Sequence, residues 1–140
     1  PPDALPIYLT SDYTMFQSGL SRWVNLNKDS FTGKAALQAE HQAGVTQTFV
    51  TLTLDDPTDG EPFGEAVYLS TVRINGNDAG LVVSAGYGHR VGKSIAMAVV
   101  DAKMLAAGGA VSVDVLGRER AAQRVEGDVL YDPDNAKMKV

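Results

Sequence analysis

The sequence contains no cysteine. Disulfide staples, zinc–thiolate centres, iron–sulfur clusters and thiol catalysis are excluded together, and the lack is compatible with a reducing compartment. Aromatic residues are scarce, 7% of the chain with one tryptophan, and there are two histidines. Positive charge is also short: 12 lysines and arginines stand against 17 acidic residues, a net charge of -5. A dedicated nucleic-acid binder carries the opposite balance, so no nucleic-acid partner is expected. No apolar run approaches the roughly 20 residues of a membrane helix, so no membrane association is expected either; the longest uninterrupted apolar block is Ile95 to Val100. What is present is ordinary globular material, 44% hydrophobic and 21% charged over 140 residues. That is enough apolar surface to offset chain entropy, at the size of one domain. The chain opens on Pro1-Pro2-Asp3 with no methionine and no charged stretch leading into an apolar one, which reads as a chain processed or cut from something longer.

Residues 1–17 hold three prolines and read as a connector or the tail of a preceding domain, with Ile7, Tyr8 and Leu9 as a short strand. The next signal is helical. Residues 31–43 are good helix formers, with Ser30 or Thr32 able to cap the start and Gly44 placed for a left-handed C-terminal cap. Phe31, Ala35, Leu37 and Ala39 supply the expected buried stripe. From there the pattern is of strands. Val50, Leu52 and Leu54 alternate with Thr51 and Thr53. Residues 55–60 are dense in turn formers. Residues 66–74 and 79–85 read as strands joined by the hairpin signal Asn75-Gly76-Asn77. Gly86, Gly88 and Gly92 punctuate an expected loop, residues 94–100 favour strand, and residues 104–109 are ambiguous. Residues 111–116 alternate, Gly117 turns, and residues 121–125 follow. The pattern predicts a mainly β fold: a small closed or partly open antiparallel barrel of about six strands, preceded by one α-helix. Closure is attractive because six short strands otherwise leave two open edges.

Several local patterns fail on spacing. Gly86-Tyr87-Gly88-His89-Arg90-Val91-Gly92-Lys93-Ser94 ends like a phosphate-binding loop, but the glycine required five positions before Gly92 is Tyr87. His41 and His89 lie far apart, and a metal needs three or four ligands; His41 reads as a solvated helix residue, and no metal ligands are assigned. Ser84, His89 and Asp101 exist without a nucleophile elbow, so no catalytic residues are assigned. Arg22-Trp23 offers a cation beside the sole indole. Packing of Trp23 between helix and sheet, with Arg22 solvated, is the favoured reading; stacking on a planar ligand is the other. Arg118, Arg120 and Arg124 read by default as a solvated charged face, with a carboxylate-binding groove as the alternative.

Four blocks in register carry a resemblance. Phe31-Thr32-Gly33-Lys34-Ala35-Ala36-Leu37 is similar to the F-x-G-[KR]-x-A-L helix start of the glycine-cleavage T-protein (aminomethyltransferase) superfamily, and Ser18-Gly19-Leu20 with Asn27-Lys28 to the approach before it. Gly80-Leu81-Val82-Val83-Ser84-Ala85-Gly86-Tyr87-Gly88-His89 resembles the G-x-V-T-S-G-x-Y-G-H strand and loop, continued by residues 91–97. Tyr131-Asp132-Pro133 resembles the closing [FY]-D-P. The sequence departs from the pattern at Ser18, Val83 and Ala85. Residues 18–136 thus resemble the C-terminal barrel region, with 137–140 as a tail. The details look most like dimethylglycine or sarcosine dehydrogenases and oxidases.

The resemblance implies a tetrahydrofolate-dependent enzyme that oxidises an N-methylamine and passes the carbon to folate, with FAD held only by a preceding half. It implies preceding folate and flavin domains as partners, a homo-oligomer, and a cytoplasmic or mitochondrial-matrix setting. This portion would wall one side of the folate channel through Arg22, Trp23, Tyr87, His89 and Arg90. Two alternatives stay open: the C-terminal part of a glycine-cleavage aminomethyltransferase working with a lipoylated carrier, and a noncatalytic docking barrel.

Overall fold

In a computed structural model of the chain, residues 11–56, 64–134, 136 and 137 are described. The expected strand at Ile7, Tyr8 and Leu9 lies outside them, as does most of the expected turn at 55–60. Six strands form the body: β1 Gln47–Leu54, β2 Thr71–Ile74, β3 Asn77–Gly88, β4 Lys93–Asp101, β5 Val111–Val115 and β6 Arg118–Arg124. They close in the order β1-β4-β3-β2-β5-β6. Every pairing is antiparallel, and the β1–β6 contact (Leu52 opposite Arg124, Leu54 opposite Ala122) seals the cylinder. Sealing removes the open edges, so the expected barrel is present in its closed form.

Alternation drives the curl. Val50, Leu52 and Leu54 of β1 face Ala96, Ala98 and Val100 of β4 in the buried core with Val72, Val82 and Val113. Small alanines on β4 beside branched residues on its neighbours suit the narrow interior. Two hairpins use paired positive φ angles, Asn75 (52°) with Gly76 (77°) and Leu116 (55°) with Gly117 (84°), the geometry that suits the twist of the flanking strands. On β3 the register slips between Val82 and Ser84. This bulge seats Val83 as an extra residue, and it is buried.

The structure corrects several element boundaries. The expected strand at 66–74 is only Thr71–Ile74. Leu69 has φ of 69°, and residues 67–70 form a turn in which Ser70 N–H donates to Val67 O. The expected glycine loop is mostly strand: Gly86, Tyr87 and Gly88 pair with Ile95, Ser94 and Lys93, leaving residues 89–92 as the turn. Lys93 therefore begins a strand rather than closing an anion-binding loop. The ambiguous stretch is a helix, α2 Ala102–Ala107, whose first N–H groups are capped by the Asp101 carboxylate (Lys103 N 2.9 Å, Met104 N 2.8 Å). Leu105 of α2 packs on the barrel core and covers one end of the cylinder.

Helix α1, Lys34–Ala43, precedes β1. Gly44 ends it at a positive φ of 84°, but with ψ of 140° rather than the expected left-handed helical cap. Its start differs: the N-cap is Gly33 in a left-handed conformation with no side-chain cap, not Ser30 or Thr32. The Lys34 ammonium ties this entry down by donating to Lys28 O at 2.6 Å. The expected buried stripe is thin. Phe31 and Leu37 are half-buried while Ala35 and Ala39 are exposed. The helix lies outside the barrel, held by residues 14–19: Thr14 Oγ1 donates to Glu40 at 2.7 Å, and Phe49 on the outer face of β1 packs against Gly19.

Candidate functional site

The five residues singled out from the sequence fall into two groups. Arg22 and Trp23 lie in a short 3-10 turn, Ser21–Trp23, before α1. Trp23 does not pack between helix and sheet: it is 69% exposed. Its partner is Arg22, whose guanidinium carbon stands 5.2 Å from the ring centroid. Residues 14–19, not Trp23, link the helix to the barrel.

Beside this turn is a groove of about 530 Å³ lined by Phe16, Ser21, Val24, Asn25, Leu26, Asn27, His41, Val45 and Thr48. That volume is in the range of small-molecule sites. His41 is exposed, as expected, and its ring lies 5.7 Å from that of Phe16. The groove touches Thr48, near the start of β1.

Tyr87, His89 and Arg90 sit on the β3–β4 hairpin, which borders the far end of β1, where Leu54 pairs with Ser94. From Thr48 to Leu54 is about 20 Å of strand, so the two groups do not converge. Tyr87 and His89 meet edge-to-face with centroids 5.1 Å apart, and both are exposed. Arg90 donates to the Tyr131 hydroxyl at 3.2 Å and lies over its ring. Ser84, His89 and Asp101 stay apart, with Asp101 committed to capping α2. Among the described residues no cluster of acidic or histidine side chains is arranged to hold a metal ion, and no helix is long and apolar enough to cross a membrane.

Arg120 overturns the solvated-face reading. It is buried, alternating inward with Ala122. Its guanidinium donates to Asp55 O (2.6 and 3.2 Å) and Gly64 O (2.7 Å), fastening the β1–β2 connection to β6 at its start and again partway along it. Next to it Glu65 accepts from the buried Ser94 hydroxyl at 3.0 Å. Arg118 and Arg124 are exposed. The chain's clearest charge network is elsewhere, where Arg73 reaches Glu119 (2.6 Å), Asp78 (2.9 Å) and Asp114 (3.7 Å). Hydrogen bonds to Glu119 and then Asp78 hold its guanidinium above the ordinary arginine value, while partial desolvation pulls the other way.

Sequence reasoning read Arg120 as solvated and gave Tyr131 only a motif role. The signal for Arg120 was its spacing of two from Ala122. Nothing in the local pattern foretold Tyr131 meeting Arg90, which joins residues 41 positions apart.

Residues 47–132 match the glycine cleavage T-protein C-terminal barrel domain. The chain is 36% identical over 126 residues to an aminomethyltransferase from Moorella thermoacetica, covering 88% of this chain and 33% of that protein. It is 29% identical over 133 residues to the mitochondrial dimethylglycine dehydrogenase of Rattus norvegicus, covering 94% of this chain and 15% of that one. The crystal structure of the glycine cleavage system aminomethyltransferase T from Bartonella henselae superposes with a TM-score of 0.65 at 25% identity, over 85% of this chain and 32% of that chain. The chain thus spans a third or less of the length of these relatives. With its closed six-strand antiparallel barrel and a match over most of its length, the chain belongs to the glycine cleavage T-protein C-terminal barrel family.

Proposed function

We propose that this chain is the barrel portion of a tetrahydrofolate-dependent enzyme that moves a one-carbon unit from an amine to folate. The observation carrying this reading is the family match across the barrel, together with relatives named aminomethyltransferase and dimethylglycine dehydrogenase. A preceding region of the same enzyme supplies the reacting groups, and the barrel contributes a wall.

The chain's residues fit a wall contact rather than a complete pocket. Trp23 offers an exposed aromatic face with Arg22 already stacked on it, suited to a planar heteroaromatic ring or its anionic tail. Tyr87, His89 and Arg90 offer a second aromatic and cationic edge. The two groups face different stretches of the neighbouring region. Tetrahydrofolate supplies the nucleophilic nitrogen that receives the carbon; the barrel's part is to keep bulk water from the reactive carbon and to hold the ligand's outer portion. FAD is assigned to no residue of this chain, because no glycine-rich dinucleotide fingerprint follows a strand here.

Two forms of the reading differ in the carbon donor. An aminomethyltransferase takes it from a lipoyl carrier; a dimethylglycine- or sarcosine-type dehydrogenase takes it from an N-methylamine that it oxidises. Identity favours the first at 36%, and coverage of 94% of the chain supports the second. The setting is the cytoplasm or, in a eukaryote, the mitochondrial matrix. The test uses the complete polypeptide with tetrahydrofolate and either an aminomethylated lipoyl carrier or dimethylglycine plus an electron acceptor. Methylenetetrahydrofolate formed in either arm supports the reading and identifies the donor; none in both overturns it.

A further inference from the structure

We infer that Arg90, Lys137 and Tyr131 form a binding site for an oxyanion, the carboxylate or phosphate group of a ligand. The inference goes beyond the proposed function, since it stands on a convergence of charges that includes Lys137, a residue with no part in that reading. The Arg90 guanidinium donates to the Tyr131 phenol oxygen at 3.2 Å, and the Lys137 ammonium donates to the same oxygen at 2.9 Å. Both cations also lie over the same ring, at 5.4 and 4.4 Å from its centroid. They are therefore no farther apart than those two hydrogen bonds laid end to end.

Among the described residues neither cation forms an ion pair. That is unexpected in a chain where acids outnumber bases 17 to 12, because two like charges at this distance repel. A phenol oxygen has two acceptor lone pairs and one hydrogen. Guanidinium and ammonium N–H groups remain unused, since each cation spends one on the phenol. Two cations with unused N–H groups thus flank one phenol, and an anion seated beside them relieves the repulsion while accepting charge-assisted hydrogen bonds.

The arrangement is held on both sides. Val91 and Gly92 N–H groups both donate to Gly88 O, at 3.0 and 2.8 Å, and fix the turn that carries Arg90. The Asp132 carboxylate accepts from the backbone N–H groups of Ala136 (2.8 Å) and Lys137 (3.0 Å). The oxygens of that carboxylate are engaged by backbone N–H groups rather than by the ammonium.

The test is a titration of the 140-residue chain followed by NMR at constant ionic strength, with inorganic phosphate in one arm, succinate in a second and chloride as reference. The expected result is saturable shifts of the Arg90 Nε–H and Lys137 amide signals in at least one of the first two arms, and the arm that saturates identifies the oxyanion class. Lys137→Gln should weaken that binding about tenfold, the loss of one charge-assisted hydrogen bond. Tyr131→Phe, which keeps the ring but removes the hydroxyl, should weaken it too. Shifts no larger than those with chloride in both arms overturn the inference, as does binding that survives both substitutions unchanged.

Discussion

The side chain of Asp128 completes the hydrogen bonding of Thr51 where a strand would otherwise do so. Thr51 N–H donates to Asp128 Oδ1 at 2.7 Å, and the Thr51 hydroxyl donates to Asp128 O at 3.1 Å. The β1–β6 ladder runs only from Leu52 to Leu54. Val125 N–H then donates to Thr51 O at 2.8 Å, and the 3-10 turn Glu126–Asp128 swings the carboxylate back to the next open donor. Thr51 is buried because this turn covers the outer face of β1, so the seam of the barrel is closed partly by strand and partly by a side chain.

Asp128→Ala leaves a buried N–H without its partner. The expected cost is about 1–3 kcal/mol. Asp128→Asn keeps an acceptor oxygen and should recover much of it. Urea denaturation of the three proteins checks the order.

Arg120→Met removes the donors to Asp55 O and Gly64 O while retaining the aliphatic stem. The expected loss is about 2–3 kcal/mol. Arg120→Lys should rescue little, because one ammonium does not reproduce the planar fork. Hydrogen exchange at the Asp55 and Gly64 amides should rise in Arg120→Met, and unchanged exchange there contradicts the fastening role.

Two glycines on β3 should respond in opposite ways to alanine. A Cβ at Gly80 would stand 2.1 Å from Val99 O and 2.7 Å from Val100 Cα, both backbone atoms that the β3–β4 ladder fixes. Gly80→Ala should cost about 3 kcal/mol. A Cβ at Gly86 meets nothing within 4 Å, and Gly86→Ala should stabilise by about 0.5 kcal/mol through the unfolded chain. Thermal melts of the pair distinguish crowding from a general intolerance of alanine.

The Arg73 network should be insensitive to moderately alkaline pH. Glu119 and Asp78 raise the arginine above its ordinary value in the folded chain. A cation raised in this way stabilises fully below its unfolded value and loses that contribution only as pH climbs through the folded one. Both values lie well above pH 10, so the difference in melting temperature between wild type and Arg73→Gln should be the same at pH 7 and pH 9. High salt should shrink it, since the network is on the surface.

The barrel was legible because strict alternation at Val50, Leu52 and Leu54, and again along residues 111–116, fits only a half-buried strand, and Asn75-Gly76 admits little besides a tight hairpin. Boundaries were less legible where glycine misleads. Gly86 and Gly88 read as loop, yet Gly88 lies against Ile95 and Val91 at a spacing that leaves no room for a Cβ, so there glycine serves close packing within a strand. The cap of α1 was misread for a related reason: Ser30 and Thr32 have the right chemistry, but the left-handed turn at Gly33 sets the entry. The candidate residues were chosen from the sequence by residue type and motif position, neither of which gives their mutual placement. Which groups meet depends on the closure of the barrel, and that separates Trp23 from Tyr87 and brings Tyr131 to Arg90.

The most direct test of the proposed folate-channel wall is calorimetric titration of the complete polypeptide with tetrahydrofolate, before and after Trp23→Ala and Arg22→Ala. The expected result is a loss of affinity of about tenfold for Trp23→Ala, the size of one base-like stacking contact, and a smaller loss for Arg22→Ala, with melting temperatures unchanged. Full affinity in both variants would contradict it.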